Sequence, residues 1–277
     1  GKVLIALLDM YEETKDSRLL ACAEKLAGYW MGMQLPEGTY FRRDRGVTQS
    51  LYKGPCFLFW LIAGLAQCAA LTGKEVYRKS ARQALQYVLP LQKENGRFTT
   101  TYEIHKSEDW RPVSSESAIA LFCLARVMRY DPCEEVRTAL ERVLQFLLTL
   151  QHKSGAIVNC SPDSLGASLQ EEENLCDLVY TEGFALMGFT EAYRVLGDSR
   201  SLEAAKKLGS FLMNIQCRGE SPLWDGAWRG SYDVEKECWA GRADQNNPID
   251  EGGMYSVYTG WCNAPNMYGL LQLESLL

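Results

Sequence analysis

Four stretches of this 277-residue chain end in the same short signature, and that repetition narrows the possible folds more than any other feature. Gly28 to Tyr40 reads GYWMGMQLPEGTY and Tyr87 to Phe98 reads YVLPLQKENGRF. Phe146 to Ile157 reads FLLTLQHKSGAI and Phe211 to Gly219 reads FLMNIQCRG. The shared core is apolar-Gln-x-x-x-Gly, shortened in the fourth copy, with Gln at 34, 92, 151 and 216. Spacings of about 60 residues match a helical hairpin plus a loop.

Each unit holds two helices of different character. The one before each Gln is amphipathic: Tyr77, Ala81, Ala84, Val88 and Leu91 recur at helical spacing, as do Val136, Leu140, Val143, Leu147 and Leu150. The preceding one is apolar nearly all round, as in CFLFWLIAGLAQCAAL, AIALFCLARV and FALMGFTEA, and so is buried all round. The turns TGKE, YDPCEE and GDSRS carry helix-start residues. The pattern predicts inner helices at 1–13, 52–71, 114–129, 177–196 and 259–277, with outer helices at 16–33, 75–93, 133–151 and 199–216. These nine helices make four and a half hairpins of an all-α fold, an open or incomplete α/α toroid spanning 1–277 as one domain. Short inner-to-outer turns then share one face. The long loops 35–51, 94–113, 152–176 and 217–258 share the other, a mouth above the N-terminal ends of the inner helices and the expected ligand site.

Composition removes several function classes. The net charge of −6 is spread along the helices without a Lys/Arg cluster, which argues against nucleic acid and anionic membranes as partners. The apolar run from Cys56 to Leu71 is interrupted by Gln67 and falls short of a membrane span. The ten cysteines form no C-x-x-C, the two histidines stand apart at 105 and 152, and no zinc spacing, phosphate loop or dinucleotide fingerprint appears, so no metal or cofactor is expected. With no secretion signal, a reducing, cytoplasmic setting is expected; the chain begins inside an apolar helix.

Aligning the inner helices sets Tyr52-Lys53-Gly54, Ser114-Ser115-Glu116, Tyr180-Thr181-Glu182 and Tyr258-Thr259-Gly260 in one register. Glu116 and Glu182 therefore match on successive helices. Helices packed about 8–10 Å apart bring such carboxyls within about 5–10 Å, the range of a glycosidase acid/base pair. A first-turn Glu is also stabilised by the helix dipole without catalytic duty. Asp109 and Asp225 adjoin tryptophans on mouth loops and complete the catalytic candidates. Trp110, Trp224, Trp228 and Trp261 offer stacking faces for sugar rings, and Arg229 and Arg42 suit a uronate carboxylate. Tyr232 and Asn263 join them as binding candidates. Loop tryptophans equally fit plugs packed on the inner helices.

The hairpin signatures, the alternating helices and the closing GAWRGSY and YSVYTGWCNAPNMYGLLQL resemble the six-hairpin glycosidase-like α/α toroids, and more distantly the terpenoid-cyclase-like toroids. The resemblance to unsaturated glucuronyl hydrolases implies carboxylates at inner-helix starts facing the mouth, which here are Glu116 and Glu182 with Asp109 and Asp225 on loops. Those enzymes mostly use Asp where this chain has Glu. The turn Gln92-Lys93-Glu94-Asn95-Gly96-Arg97-Phe98 is similar to squalene-cyclase turns, but the D-x-D-D acid motif is missing. Gly260-Trp261-Cys262 is similar to a lanthionine-cyclase zinc site without its Cys-His-Gly partner, and two histidines with one, His152, on an outer turn argue against the central histidine pair of the sugar 2-epimerases. The expected function is glycoside hydrolysis of oligosaccharide, with uronate-containing chains as candidate substrates. The alternatives are a non-catalytic carbohydrate- or peptide-binding toroid and a terpenoid-cyclase-like enzyme.

Overall fold

The computed structural model describes residues 1–44, 47–52, 54–105, 113–159, 174–219, 221–241 and 260–277. Core helices α1 (Lys2–Thr14), α3 (Pro55–Thr72), α6 (Val113–Tyr130), α8 (Glu182–Leu196) and α10 (Gly260–Glu274) alternate with surface helices α2 (Ser17–Met31), α4 (Glu75–Val88), α7 (Glu134–Thr149) and α9 (Ser199–Ile215). A short α5 (Thr101–His105) interrupts the alternation. The helix ends follow local chemistry. Asp16 and Asp198 cap α2 and α9 by accepting from Arg18 N–H and Arg200 N–H. Gly54 precedes Pro55 at the first turn of α3. Pro90, which lacks an N–H, ends α4 in a single 3₁₀ turn, Leu89–Leu91.

The chain divides into two compact units, Gly1–Arg111 with Cys123–Arg142, and Pro112–Phe122 with Val143–Leu277. In the first unit α3 packs against α1, α2 and α4; in the second, α8 packs against α9 and α10. By length and composition α3 is apolar enough to cross a bilayer, although the sequence placed its apolar run short of a span. Most of α3 is buried inside the protein, as a core helix is. Small residues bring the core helices together. A Cβ on Gly188 would lie 2.9 Å from Leu121 Cδ2, and one on Gly269 would lie 3.0 Å from Leu186 Cδ2.

The repeated signature joins each surface helix to the next. Gln34, Gln92 and Gln151 bridge in backbone to Tyr40, Phe98 and Ile157, closing a tight hairpin. Each side-chain amide then donates to a carbonyl of the following surface helix: Gln34 Nε2 to Ser80 O at 2.9 Å, Gln92 to Ala139 O at 2.9 Å and Gln151 to Ala204 O at 3.0 Å. The glycine is required twice over. Gly38 and Gly155 have φ of +96° and +101°, and a Cβ on either would lie 2.3 Å from the Gln83 or Lys207 carbonyl oxygen. Tyr40, Phe98 and Ile157, two residues further on, are fully buried plugs.

In the fourth copy Gly226, not Gly219, fills the turn position. The Cys217 amide donates to Ala227 O at 2.9 Å, the Gly226 amide to Cys217 O at 2.8 Å, and Gln216 Nε2 to Gly226 O at 2.5 Å. The chain between them is an excursion, and Trp228 takes the plug position.

Among the described residues, two small sheets lie outside the helical pattern. β1 (Tyr40–Asp44) pairs antiparallel with β2 (Val47–Tyr52). β3 (Leu175–Asp177), β4 (Ser231–Asp233) and β5 (Cys238–Trp239) form an antiparallel sheet in which Cys176 faces Tyr232 and Tyr232 faces Trp239. The sequence started the fourth inner helix at 177, but the chain stays extended there. Asp177 turns it instead: Oδ1 accepts from Val179 N–H at 2.9 Å and Oδ2 from Tyr180 N–H at 3.2 Å.

Candidate functional site

The second unit gathers the first turns of α6 and α8. The Ser114 and Thr181 hydroxyl oxygens lie 3.3 Å apart. The Ser114 amide donates to the Asn159 carbonyl at 3.2 Å, and the Asn159 amide to the Leu175 carbonyl at 2.9 Å. Two core-helix starts, the end of the third repeat turn and β3 are thereby one bonded cluster. Glu116 lies two residues after Ser114 in the first turn of α6, and Glu182 directly follows Thr181 as the first residue of α8. They are 7% and 0% exposed.

The Glu182 carboxyl takes the Ile157 N–H with both oxygens, at 3.0 and 3.2 Å. Burial pushes its pKa well above the ordinary carboxyl range, and the Asp177 charge adds to that; the Ile157 amide and the Cys176 thiol pull the other way. Glu182 therefore keeps its proton at pH values where an ordinary carboxyl has lost it. Burial also raises the Cys176 thiol, with the Glu182 charge acting in the same direction. The Asp177 carboxyl is half-buried and accepts two backbone N–H groups, from Val179 and Tyr180.

The remaining sequence candidates divide sharply. Trp228 does not offer a free stacking face: it is buried as the fourth plug, and its indole N–H donates to Leu212 O at 2.8 Å. Asn263 spends its side-chain oxygen on the Trp228 N–H at 3.0 Å, fastening α10 to the loop. Asp225 is exposed and accepts the Gly219 N–H at 2.8 Å, closing the excursion. Trp224 sits half-buried in that excursion, and Arg229 is also half-buried. Tyr232 is half-buried, with its ring edge-on to Phe211 at 5.7 Å and to Trp239 at 5.2 Å. Asp109 and Trp110 lie outside the described residues, as do the side chains of Arg42 and Trp261. His152 is a turn residue, bonded to Ser154 Oγ at 2.9 Å and to Glu235 Oε1 at 2.8 Å.

Two residues of the cluster escaped the sequence reading. Asp177 was absorbed into a helix that begins five residues later. Asn159 lies just past the repeat signature, is 5% exposed, and its side-chain oxygen has no hydrogen-bond partner among the described residues. An Asp shortly before a helix start was the available signal for the first; the sequence carries none for the second. Among the described residues no three His, Cys, Asp or Glu side chains converge as a metal site.

The fold is an all-α, α/α toroid, as in the solved structures it resembles. A sugar epimerase from a ruminal bacterium superposes with a TM-score of 0.69 at 15% identity, over 99% of this chain and 69% of that one. An unsaturated glucuronyl hydrolase from Streptococcus agalactiae gives 0.64 at 14% identity, over 99% and 68%. A glycosyl hydrolase of family 88 from Bacteroides vulgatus gives 0.62 at 13% identity, over 98% and 71%. No protein-family model matches the chain, and no curated protein sequence matches it.

Proposed function

We propose that this chain is a carbohydrate-processing enzyme, a glycoside hydrolase that acts on oligosaccharide, uronate-containing chains included, in the cytoplasm. One observation carries the reading: Glu116 and Glu182 are buried in the first turns of two helices whose Ser114 and Thr181 anchors touch. Glycosidases need one carboxyl that keeps its proton and one that does not. Glu182 supplies the first, because burial beside Asp177 raises its pKa. Its sealed position means that substrate must displace the Ile157 contact, or that proton transfer runs through a neighbour in the cluster. Glu116 is the second carboxyl, activating water or receiving the sugar. Asn159 offers its unpaired oxygen to a sugar hydroxyl. The toroid neighbours named as a glucuronyl hydrolase and a sugar epimerase support carbohydrate as the substrate class.

The test is a panel of neutral and unsaturated uronyl oligosaccharides assayed with the wild type, Glu116→Gln and Glu182→Gln. Each variant should lose about 10²–10⁴-fold in turnover with little change in the fold, the usual loss when an acid or base is removed. Full turnover by both variants on every substrate cleaved by the wild type removes the pair from the mechanism. Saturable glycan binding without any turnover by the wild type favours the non-catalytic binding protein.

A further inference from the structure

Each of the first three repeat turns is met by the next surface helix, and one position of that helix stands over the turn. It lies three residues after the carbonyl that accepts the repeat Gln: Gln83 after Ser80, Arg142 after Ala139 and Lys207 after Ala204. Gln83 Nε2 donates to Leu35 O at 3.1 Å and Pro36 O at 2.8 Å, and Arg142 Nη2 to Lys93 O at 2.7 Å and Glu94 O at 3.4 Å. Lys207 holds the same place, since a Cβ on Gly155 would meet its carbonyl oxygen at 2.3 Å just as one on Gly38 would meet that of Gln83. Yet it makes no such bond. Among the described residues His152 O takes only the Gly155 N–H, and the Lys207 side chain is exposed. A guanidinium or amide lays flat N–H groups along a turn, whereas an ammonium is a compact, strongly hydrated charge.

Beside this third turn an open groove of about 440 Å³ runs between the end of α7 and the start of α9. Half-buried Leu148 and buried Ala204 are its apolar part, and Lys153, Arg200, Glu203 and Lys207 line it with charge. Lys153 Nζ lies 3.3 Å from Glu235, and Arg200 Nη2 2.7 Å from Asp198, but their side chains remain 79% and 62% exposed. The one carboxylate among these lining residues, Glu203, is met by Lys206 at 3.6 Å. Lys207 has no ion pair among the described residues. In a chain of net charge −6 this is a locally cationic hollow, within the size range of small-ligand sites.

We propose that this groove is a second glycan site, apart from the carboxyl cluster, that binds a uronate residue of an acidic oligosaccharide. The sugar carboxylate lies against Lys207, and Lys153 and Arg200 add the exposed sides of their charges. The C–H face of the ring rests on Leu148 and Ala204, and Glu203 accepts from a ring hydroxyl. The choice of a uronate rests on the function proposed above; the cationic groove does not. The same turn reaches the cluster, because Gln151 pairs with Ile157, whose N–H holds Glu182. A chain tethered in the groove is thereby concentrated near the cluster without taking part in the chemistry.

The probe is a defined oligouronate, and the readout is the rate at which an amine-acylating reagent labels each lysine of the full chain, followed by mass spectrometry. Oligouronate should slow labelling of Lys207 and Lys153 about threefold, with half-effect in the millimolar range expected of exposed ion pairs. Lys79, exposed on α4, should label unchanged, and a neutral oligosaccharide of the same length should protect nothing. Lys153→Gln and Arg200→Gln should each weaken the protection of Lys207, whereas Glu116→Gln should leave it intact. Equal labelling of Lys207 with and without oligouronate overturns the proposal. So does equal protection by inorganic sulfate at the same concentration, which would make the groove a simple-anion site, or protection lost in Glu116→Gln, which would place the oligouronate in the cluster. Turnover is scored separately. Protection without cleavage of any glycan refutes the hydrolase and upholds the groove, and cleavage without protection refutes the groove alone.

Discussion

Replacing Glu182 by Gln should leave the protein less stable in acid and more stable at neutral pH. The side chain keeps its shape, and one oxygen still accepts the Ile157 N–H, but the second oxygen, at 3.2 Å in the wild type, is exchanged for a donor. A hydrogen bond of that kind is worth about 1 kcal/mol net, which the variant loses at any pH. Against this stands proton linkage. Burial raises the folded pKa of Glu182, so the native state binds a proton that the unfolded chain releases above about pH 4.3. With fewer protons bound in the unfolded state, wild-type stability falls as pH rises between the unfolded and folded pKa, by up to about 1.4 kcal/mol per pH unit. Gln has no proton to release and does not share that slope. The two stabilities should therefore cross roughly one pH unit above the unfolded carboxyl pKa, with the variant ahead beyond it. Urea denaturation of both proteins at a series of pH values from about 5 to about 8 measures this directly. Parallel stability curves with a constant offset would refute the inference that burial holds the proton on Glu182.

Other substitutions test the repeat chemistry. Gly155→Ala forces a Cβ onto a residue at φ +101° and to 2.3 Å from Lys207 O, and should cost more than about 2 kcal/mol in a denaturation midpoint. Gln151→Ala removes bonds to Gly155 O and Ala204 O and should destabilise by about 1–3 kcal/mol, whereas Gln216→Ala, with one exposed bond to its own turn, should cost well under half as much in the same assay. Trp228→Phe leaves the Leu212 carbonyl without its indole donor, and a loss of about 1–3 kcal/mol in thermal unfolding is expected. An unchanged midpoint would place Trp228 outside the core.

Helix positions were readable because they rest on local periodicity. The all-round apolar runs became α3, α6 and α8, and the amphipathic segments became α4, α7 and α9, each within a few residues of the expected span except at the end of α4, where Pro90 makes a 3₁₀ turn, and at the start of α8. The α8 start has a local cause: the side chain of Asp177 satisfies the backbone N–H groups that a helix would have used, and β4 pairs with the extended residues.

The roles of individual side chains were not. Trp228 and Trp224 are both loop tryptophans in sequence, but only the turn around Gln216 and Gly226 makes the first a buried plug. The fourth signature offers Gly219 as its glycine, and ten residues of chain must fold back before Gly226 is seen to take that place. Asn263 and Asp225 each accept a backbone N–H, from Trp228 and Gly219, which their positions in the sequence do not reveal.

By itself, then, the sequence determined the repeat and the order of core and surface helices, because these depend on spacing along the chain. Tertiary structure alone decided which polar groups remain for a ligand. A buried carboxyl or amide is claimed by whichever N–H arrives beside it, and the N–H that claims Glu182 belongs to Ile157, 25 residues away in the chain.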